Sequence, residues 1–234
     1  MNKVFYLVNG KKIGVYLRDV ADHSVAAEIF KLKEYRRVED RIKKAVNFVV
    51  DVGAHSGMFT LYVRALNPKA QIVAVEPEAK NLALLKKHLA ENKISKVKII
   101  AGALAGESGE RFLKISADSH NHQLSAKGEK LVNAFSFSDL VKTNKIKKVS
   151  LLKMDIEGAE YEVLESLSAE DWLKTEALIL EYHPTFAKAT ARQSPADSKR
   201  LEKLLRENGF GVEVFPSKFD KSLGFIYAQN KRIK

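Results

Sequence analysis

The chain predicts an α/β fold built on an open, mostly parallel sheet, and three observations point there. Short apolar runs alternate with segments of helical spacing from Phe48 onward, a glycine-rich turn joins the first strong run to the first helix, and acidic residues close four of the runs. Strands that alternate with helices form βαβ units, whose crossovers are right-handed and whose strands therefore run parallel. With 234 residues, 45% of them hydrophobic, the chain can bury one substantial core and is short for two ordinary domains. We expect a main domain over residues 45–234 and a small appendage over residues 1–44.

Each element has a local reason. In FYLVNGKKIGVYL two β-prone runs flank Asn9-Gly10, a dipeptide whose tolerance of positive φ suits a tight hairpin turn. In VAAEIFKL the positions Val25, Ile29 and Leu32 share a helical face, and Glu34 to Lys44 reads as a charged connector. Then follow the run Phe48 to Val52, a helix Met58 to Leu66, the run Ile72 to Val75, a helix Asn81 to Asn92 and the run Val97 to Ala101. A hairpin-like piece, Arg111 to Ile115, precedes a polar loop from Ser116 to about Lys130 that contains the SHNH tetrad. The alternation resumes with Val149 to Met154, a helix Tyr161 to Leu167, the run Ala177 to Glu181, and a helix Ser198 to Asn208 stopped by Gly209. Val212 to Phe215 and Phe225 to Ala228 have no helix between them, so they should pair antiparallel at a sheet edge.

Composition excludes several classes. The chain has no cysteine, so it has no disulfide framework, thiolate zinc site or cysteine nucleophile. No apolar run reaches the length of a membrane span, and Val4 to Val8 is too short for a secretory segment, so a soluble, unexported, cytoplasmic protein is expected. A net charge of +11 permits an anionic partner such as nucleic acid, an acidic glycan or a membrane surface. A solvated lysine-rich surface is the favoured account of that charge, since no cluster of basic and aromatic residues stands out as a groove.

The acids carry the functional signal. Asp51 closes the first strong run, Glu76 the second, Asp155 and Glu157 follow the fourth, and Glu181 with His183 closes the fifth. The carboxyl ends of parallel strands line one sheet edge, where ligands bind beside the topological switch point. Any one of these acids can serve merely as a helix cap; four strand ends aiming acids at one edge is a stronger pattern. In Val50-Asp51-Val52-Gly53-Ala54-His55-Ser56-Gly57 the backbone can approach a ligand closely. His55 stands where a dinucleotide fingerprint needs glycine, and no Walker G-K-[ST] exists, so a nucleoside without phosphates fits better. Glu76 can accept from both ribose hydroxyls, and Asp51 would suit a cationic amino-acid tail. S-adenosylmethionine has both features.

The strings VVDVGAHSGMFTLY, AVEPEAKNLALLKKHLAEN, LLKMDIEGAEYEVLESL and ALILEYHP together resemble the FkbM-type family of class I S-adenosylmethionine-dependent methyltransferases, over roughly Tyr35 to Pro184. The resemblance implies a Rossmann-like seven-stranded sheet with an antiparallel last strand, helices on both faces, and methyl transfer to a hydroxyl oxygen. It implies that Asp51, Gly53 and Gly57 hold the cofactor's methionine part, Glu76 its ribose and the Ala103-Leu104 neighbourhood its adenine, with Ala54, His55, Pro77 and Asp155 in the same cofactor set. His55 departs from the asparagine common in the family.

Methyl transfer chiefly requires alignment and exclusion of water, and an alcohol acceptor also needs a base, worth about 10²- to 10⁴-fold. Asp155, Glu157 and His183 are the candidates, with His55 and His122 behind them; Asp155 or Glu157 is favoured because Gly158 allows close approach. Glu157 can equally be a first-turn helix acid, and His23 and His88 read as surface residues. The same trio of Asp155, Glu157 and His183 could hold magnesium or manganese, although such short acidic motifs also arise without a metal. The leading expectation is O-methylation of a sugar, glycan or small hydroxylated metabolite, with oligomeric state open. An RNA methyltransferase is the alternative, suggested by Arg36, Arg37, Arg41, Lys43 and Lys44. It is opposed by the lack of N-P-P-[FY] and of cysteine. A non-catalytic scaffold keeping the cofactor pocket is the third reading.

Overall fold

The computed structural model describes residues 1–114, 123–125, 128, 130–156, 158–182, 195–219 and 224–233. Strands β1 (Asn2–Val8) and β2 (Lys11–Leu17) form the expected hairpin, with positive φ at both Asn9 and Gly10. Helix α1 (Val20–Ala26) is capped by Asp19, whose side chain accepts from the Asp22 N–H, and runs into a π-helical turn over Ala27–Leu32. The Glu34 to Lys44 stretch is not an open connector: it forms a 3₁₀ turn over Glu34–Val38 and then helix α2 (Glu39–Lys44). Its apolar residues Tyr35, Val38 and Ile42 are all buried, and their i, i+3, i+7 spacing drives the helical turns against the core despite the surrounding charge.

The βαβ alternation is present as β3 (Phe48–Val52), α3 (Met58–Leu66), β4 (Gln71–Glu76), α4 (Ala79–Glu91) and β5 (Val97–Ala101). A separate four-stranded sheet follows, made of β6 (Ala103–Leu104), β7 (Gly109–Lys114), β8 (Gln123–Ser125) and β9 (Lys130–Phe135) in the order β6-β9-β7-β8. The Arg111 piece is thus a strand, β7, paired antiparallel with both β8 and β9. The SHNH tetrad lies outside the described residues. Two short helices were not anticipated, α5 (Phe137–Thr143) and α7 (Ala169–Lys174), which flank β10 (Val149–Met154) and α6 (Glu160–Ser166). Both are held by serine N-caps, Ser136 and Ser168. The chain ends with β11 (Ala177–Tyr182), α8 (Pro195–Glu207), β12 (Phe210–Pro216) and β13 (Gly224–Asn230).

Among the described residues the main sheet has seven strands in the order β12-β13-β11-β10-β3-β4-β5, all parallel except β13. Of the last two strands, β12 forms one edge of the sheet and β13 sits inside it, antiparallel to both neighbours. Because successive side chains point to opposite faces, the strands feed two cores. Val49, Ile72, Leu151 and Ile179 face α3, the hairpin and the π turn, while Val50, Val73, Leu152 and Leu178 face α5, α6 and α8. The same parity puts Asp51, Glu76, Lys153 and Glu181 on the first of these faces. Connections leave β3 toward β4 and β5 on one side, with β10 and β11 on the other, so the switch point lies where β3 and β10 end.

Candidate functional site

The turn after β3 brings two strand ends into contact. Gly53 has φ +70°, and a Cβ there would sit 1.9 Å from the Asp155 carbonyl oxygen, so only glycine lets the β3 and β10 ends meet. Gly53 and Ala54 N–H groups both donate to the Val75 carbonyl, binding the turn to β4. His55 also has positive φ, 50°. Its N–H donates to Glu76 Oε2 at 2.8 Å, and its ring Nε2 lies 3.4 Å from Arg18 Nη2.

Glu76 is buried and accepts three hydrogen bonds: from His55 N–H, from Glu78 N–H at 2.9 Å and from Asn81 Nδ2 at 3.2 Å. Burial pushes its carboxyl up to about 7 even so, the three bonds opposing the shift only in part. Asn81 in turn accepts from Arg18 at 2.9 Å, and Arg18 grips Asp22 with two bonds of 2.8 and 2.9 Å. Burial disfavours the Asp22 anion, but the bonds from Arg18 outweigh it and hold that carboxyl below its ordinary range. This chain of contacts ties the end of the hairpin to the glycine turn.

Lys153, which the sequence reading passed over, occupies the centre. It is paired with Asp51 across β10 and β3 and is 4% exposed. Its Nζ donates to the Gly53 carbonyl at 2.8 Å and lies 3.5 Å from both Asp51 Oδ1 and Asp155 Oδ2. Burial disfavours its charge, but Asp155, Asp51 and Glu181 together outweigh that and raise its pKa, so it stays an ammonium. Asp51 is fully buried; Thr60 donates to its Oδ2 at 2.7 Å, while among the described residues Oδ1 receives no hydrogen bond and faces the Lys153 charge at 3.5 Å. The signal in the sequence was a lysine inside an apolar strand, on the same parity as the strand-end acids. Glu160 was also passed over: it accepts from Ile156 and Gly158 N–H at 2.9 and 3.0 Å, shaping the loop after β10, and burial raises it to about 7.

These elements surround a cleft that is partly open to solvent. Of the expected site residues, Gly53, Ala54, His55, Glu76, Pro77, Ala103, Leu104 and Asp155 line it. Asp51 sits beneath its wall, behind Lys153, and Gly57 faces Leu85 instead, where a Cβ would meet Leu85 Cγ at 2.8 Å. Glu157, His183 and His122 lie outside the described residues. Lining residues that sequence reasoning did not anticipate include Val25, Glu28, Ile29 and Tyr35 from the N-terminal segment, Met58 and Phe59 from α3, and Leu113 and Leu124 from the small sheet. These positions are far apart in sequence and carry no local pattern that marks them as one wall. His88 is not a surface residue. It is buried, its Nδ1 2.7 Å from the Ser56 carbonyl and its Nε2 accepting from Tyr16 N–H at 2.8 Å. Among the described residues, no group of three or more His, Asp or Glu side chains is arranged to hold a metal.

A seven-stranded sheet with one antiparallel strand and a cleft at the carboxyl ends of its central strands is a Rossmann-like architecture. Residues 51–212 match the methyltransferase FkbM domain, and the chain belongs to that family. It is 26% identical over 192 residues to Methyltransferase 1 of Beauveria bassiana, covering 72% of this chain and 74% of that protein. It is 23% identical over 212 residues to the hexuronic acid methyltransferase AglP of Haloferax volcanii, covering 87% and 82%. Among solved structures, the FkbM methyltransferase of Methylobacillus flagellatus superposes with a TM-score of 0.55 at 16% identity, over 78% of this chain but 43% of that one. Aeropyrum pernix fibrillarin, with natively bound S-adenosyl-L-methionine, gives 0.53 at 14% identity over 97% and 82%.

Proposed function

We propose that the chain transfers a methyl group from S-adenosylmethionine to a hydroxyl oxygen of a sugar or small hydroxylated metabolite. The observation that carries this reading is that a buried acid at the end of β4, Glu76, and an acid just past β10, Asp155, line one cleft at the switch point. The residues present fit the cofactor. Glu76 lines the cleft and its carboxylate can accept from ribose hydroxyls, and Ala103, Leu104, Leu113 and Leu124 give an apolar wall for a flat base. When bound, the cofactor supplies a methyl group activated on a sulfonium.

The chain's own residues supply alignment and proton handling. Gly53 and its contact with Asp155 hold the two strand ends together, Lys153 orients Asp155 through the 3.5 Å ion pair, and Asp155 takes the proton from the acceptor hydroxyl. Its side chain is 29% exposed, so an acceptor can reach it, whereas Asp51 cannot be reached. Val25, Ile29, Tyr35, Met58 and Phe59 give the cleft apolar walls that exclude water.

The name of the Haloferax relative, a hexuronic acid methyltransferase, supports a sugar as the acceptor. An RNA acceptor is less well supported: among the described residues, the charged side chains lining the cleft are Glu28, Glu76 and Asp155 against Lys153, an acidic surround for a phosphate backbone. Calorimetry with S-adenosylmethionine tests the cofactor. Transfer of labelled methyl to a panel of hydroxylated sugars should fall at least about tenfold in Asp155→Asn. Undiminished transfer would remove Asp155 as the base, and absent cofactor binding would remove the whole reading.

A further inference from the structure

The outer face of the N-terminal hairpin meets helix α4 at Lys3 and Tyr16, through Glu91 and Lys87, and leaves Phe5 and Leu7 exposed. The register Lys3↔Tyr16, Phe5↔Gly14 and Leu7↔Lys12 places these six residues on one face, while Ile13, Val15 and Leu17 on the other face enter the core. Met1, Phe5 and Leu7 are 66%, 49% and 73% exposed. Cations surround them: Lys12 Nζ stands 4.1 Å from the Phe5 ring centroid and Lys87 Nζ 3.8 Å from that of Tyr16, with Lys3 near both rings.

Beside this face runs a groove whose walls include Lys11, Lys12, Arg64, Lys93, Lys96 and a single acid, Glu91. Glu91 is already engaged by Lys3 and by the Tyr16 hydroxyl. Arg64 donates to the carbonyls of Pro68, Ser95 and Lys96, makes no ion pair among the described residues, and keeps a buried Nε without a hydrogen-bond acceptor. The hairpin lies along α4 so that Arg18 meets Asn81 at the helix start and Gly14 meets Asn92 just past its end. Its tip therefore points to the sheet edge opposite the cleft.

We infer that this face is a docking surface for an anionic lipid bilayer, with Phe5, Leu7 and Met1 entering the interface and the flanking lysines meeting lipid phosphates and carboxylates. Apolar side chains ringed by cations bind by buried apolar area together with attraction to anionic headgroups. Single-stranded nucleic acid suits the face less well. Each ring is overlaid by an ammonium rather than open for base stacking, and an exposed leucine and methionine offer bases nothing.

The full-length protein is sedimented with vesicles of phosphatidylcholine alone and of phosphatidylcholine with phosphatidylserine at 7:3. Binding is expected to the mixed vesicles only, weakening at least tenfold between 50 and 300 mM salt. It should fall at least tenfold in Leu7→Asp, and again in Lys11→Glu with Lys12→Glu. Leu7 is the most exposed of the three apolar residues, so Leu7→Asp should leave the melting temperature and cofactor affinity unchanged. No binding to the mixed vesicles overturns the proposal. So does binding that Leu7→Asp leaves intact, which would be charge attraction from elsewhere on the surface. A uridine 20-mer that binds more tightly than the vesicles and is lost in the same variants would reassign the face to nucleic acid.

Discussion

Glu76 combines burial with three donors, and its carboxyl is raised to about 7. Holding ribose hydroxyls calls for the ionised form as acceptor, so binding should release a proton, and cofactor affinity should rise with pH toward and through about 7. Isothermal titration from pH 5.5 to 8.5 should show that rise in the wild type. In Glu76→Gln the dependence should flatten and affinity should drop about ten- to a hundredfold, the worth of hydrogen bonds to a charged group. Lys153 poses a different question, because the carboxylates around it depend on its charge. Lys153→Met leaves Asp51 buried with Thr60 as its remaining partner, and removing one member of a buried pair typically destabilises by about 3–5 kcal/mol. Urea denaturation should show that loss, and Asp51→Asn in the same background should recover part of it as a double-mutant coupling. If Lys153→Met alone is neutral, the ion pair does not organise the site.

Two elements meet through buried polar contacts rather than apolar packing alone. The hairpin is held to α4 and the glycine turn by His88, which bridges Ser56 and Tyr16, by Asn92 on Gly14, and by Arg18 on Asn81. Burial keeps the His88 ring from protonating, so Nδ1–H donates to the Ser56 carbonyl and Nε2 stays an acceptor for Tyr16 N–H. His88→Ala orphans both backbone groups, at about 1–3 kcal/mol for each unsatisfied one. Hydrogen exchange should then accelerate across β1 and β2 while β10 and β11 keep their protection; uniform acceleration would mean that the hairpin is not a separable unit. The helices of this region were legible where apolar periodicity runs for two turns or more, as in α3 and α4. Helices α5 and α7 were not, although α6, no longer than α5, was.

At the scale of the whole molecule, pH stability reports the site. Glu160 has a folded value of about 7 against 4.5 when exposed. Between those values the native state binds the extra proton, so stability must fall as pH rises through that window and level off above it. Melting curves of wild type and Glu160→Gln should therefore diverge from about pH 4.5 to 7, the wild type losing relative stability, and run parallel above. A difference constant with pH would show that the Glu160 carboxyl ionises as readily in the native state as in the unfolded one. Saturating S-adenosylmethionine should raise the melting temperature, since a ligand of the native state alone adds stability by mass action.

The alternation of apolar runs and helical segments, read with the strand-end acids, determined the parallel sheet, the sheet edge that carries the cleft, and Glu76 and Asp155 as acids lining it. These properties are local or periodic, and two-residue alternation survives any tertiary arrangement. Tertiary structure alone decided that Lys153 stands between Asp51 and Asp155, that His88 is interior, and that the N-terminal segment supplies Tyr35 and Glu28 to the cleft. Each of these depends on which strands and helices become neighbours across long stretches of chain. A lysine or histidine side chain is compatible with solvent or with a buried partner, and only the neighbours that the fold brings to it choose between them.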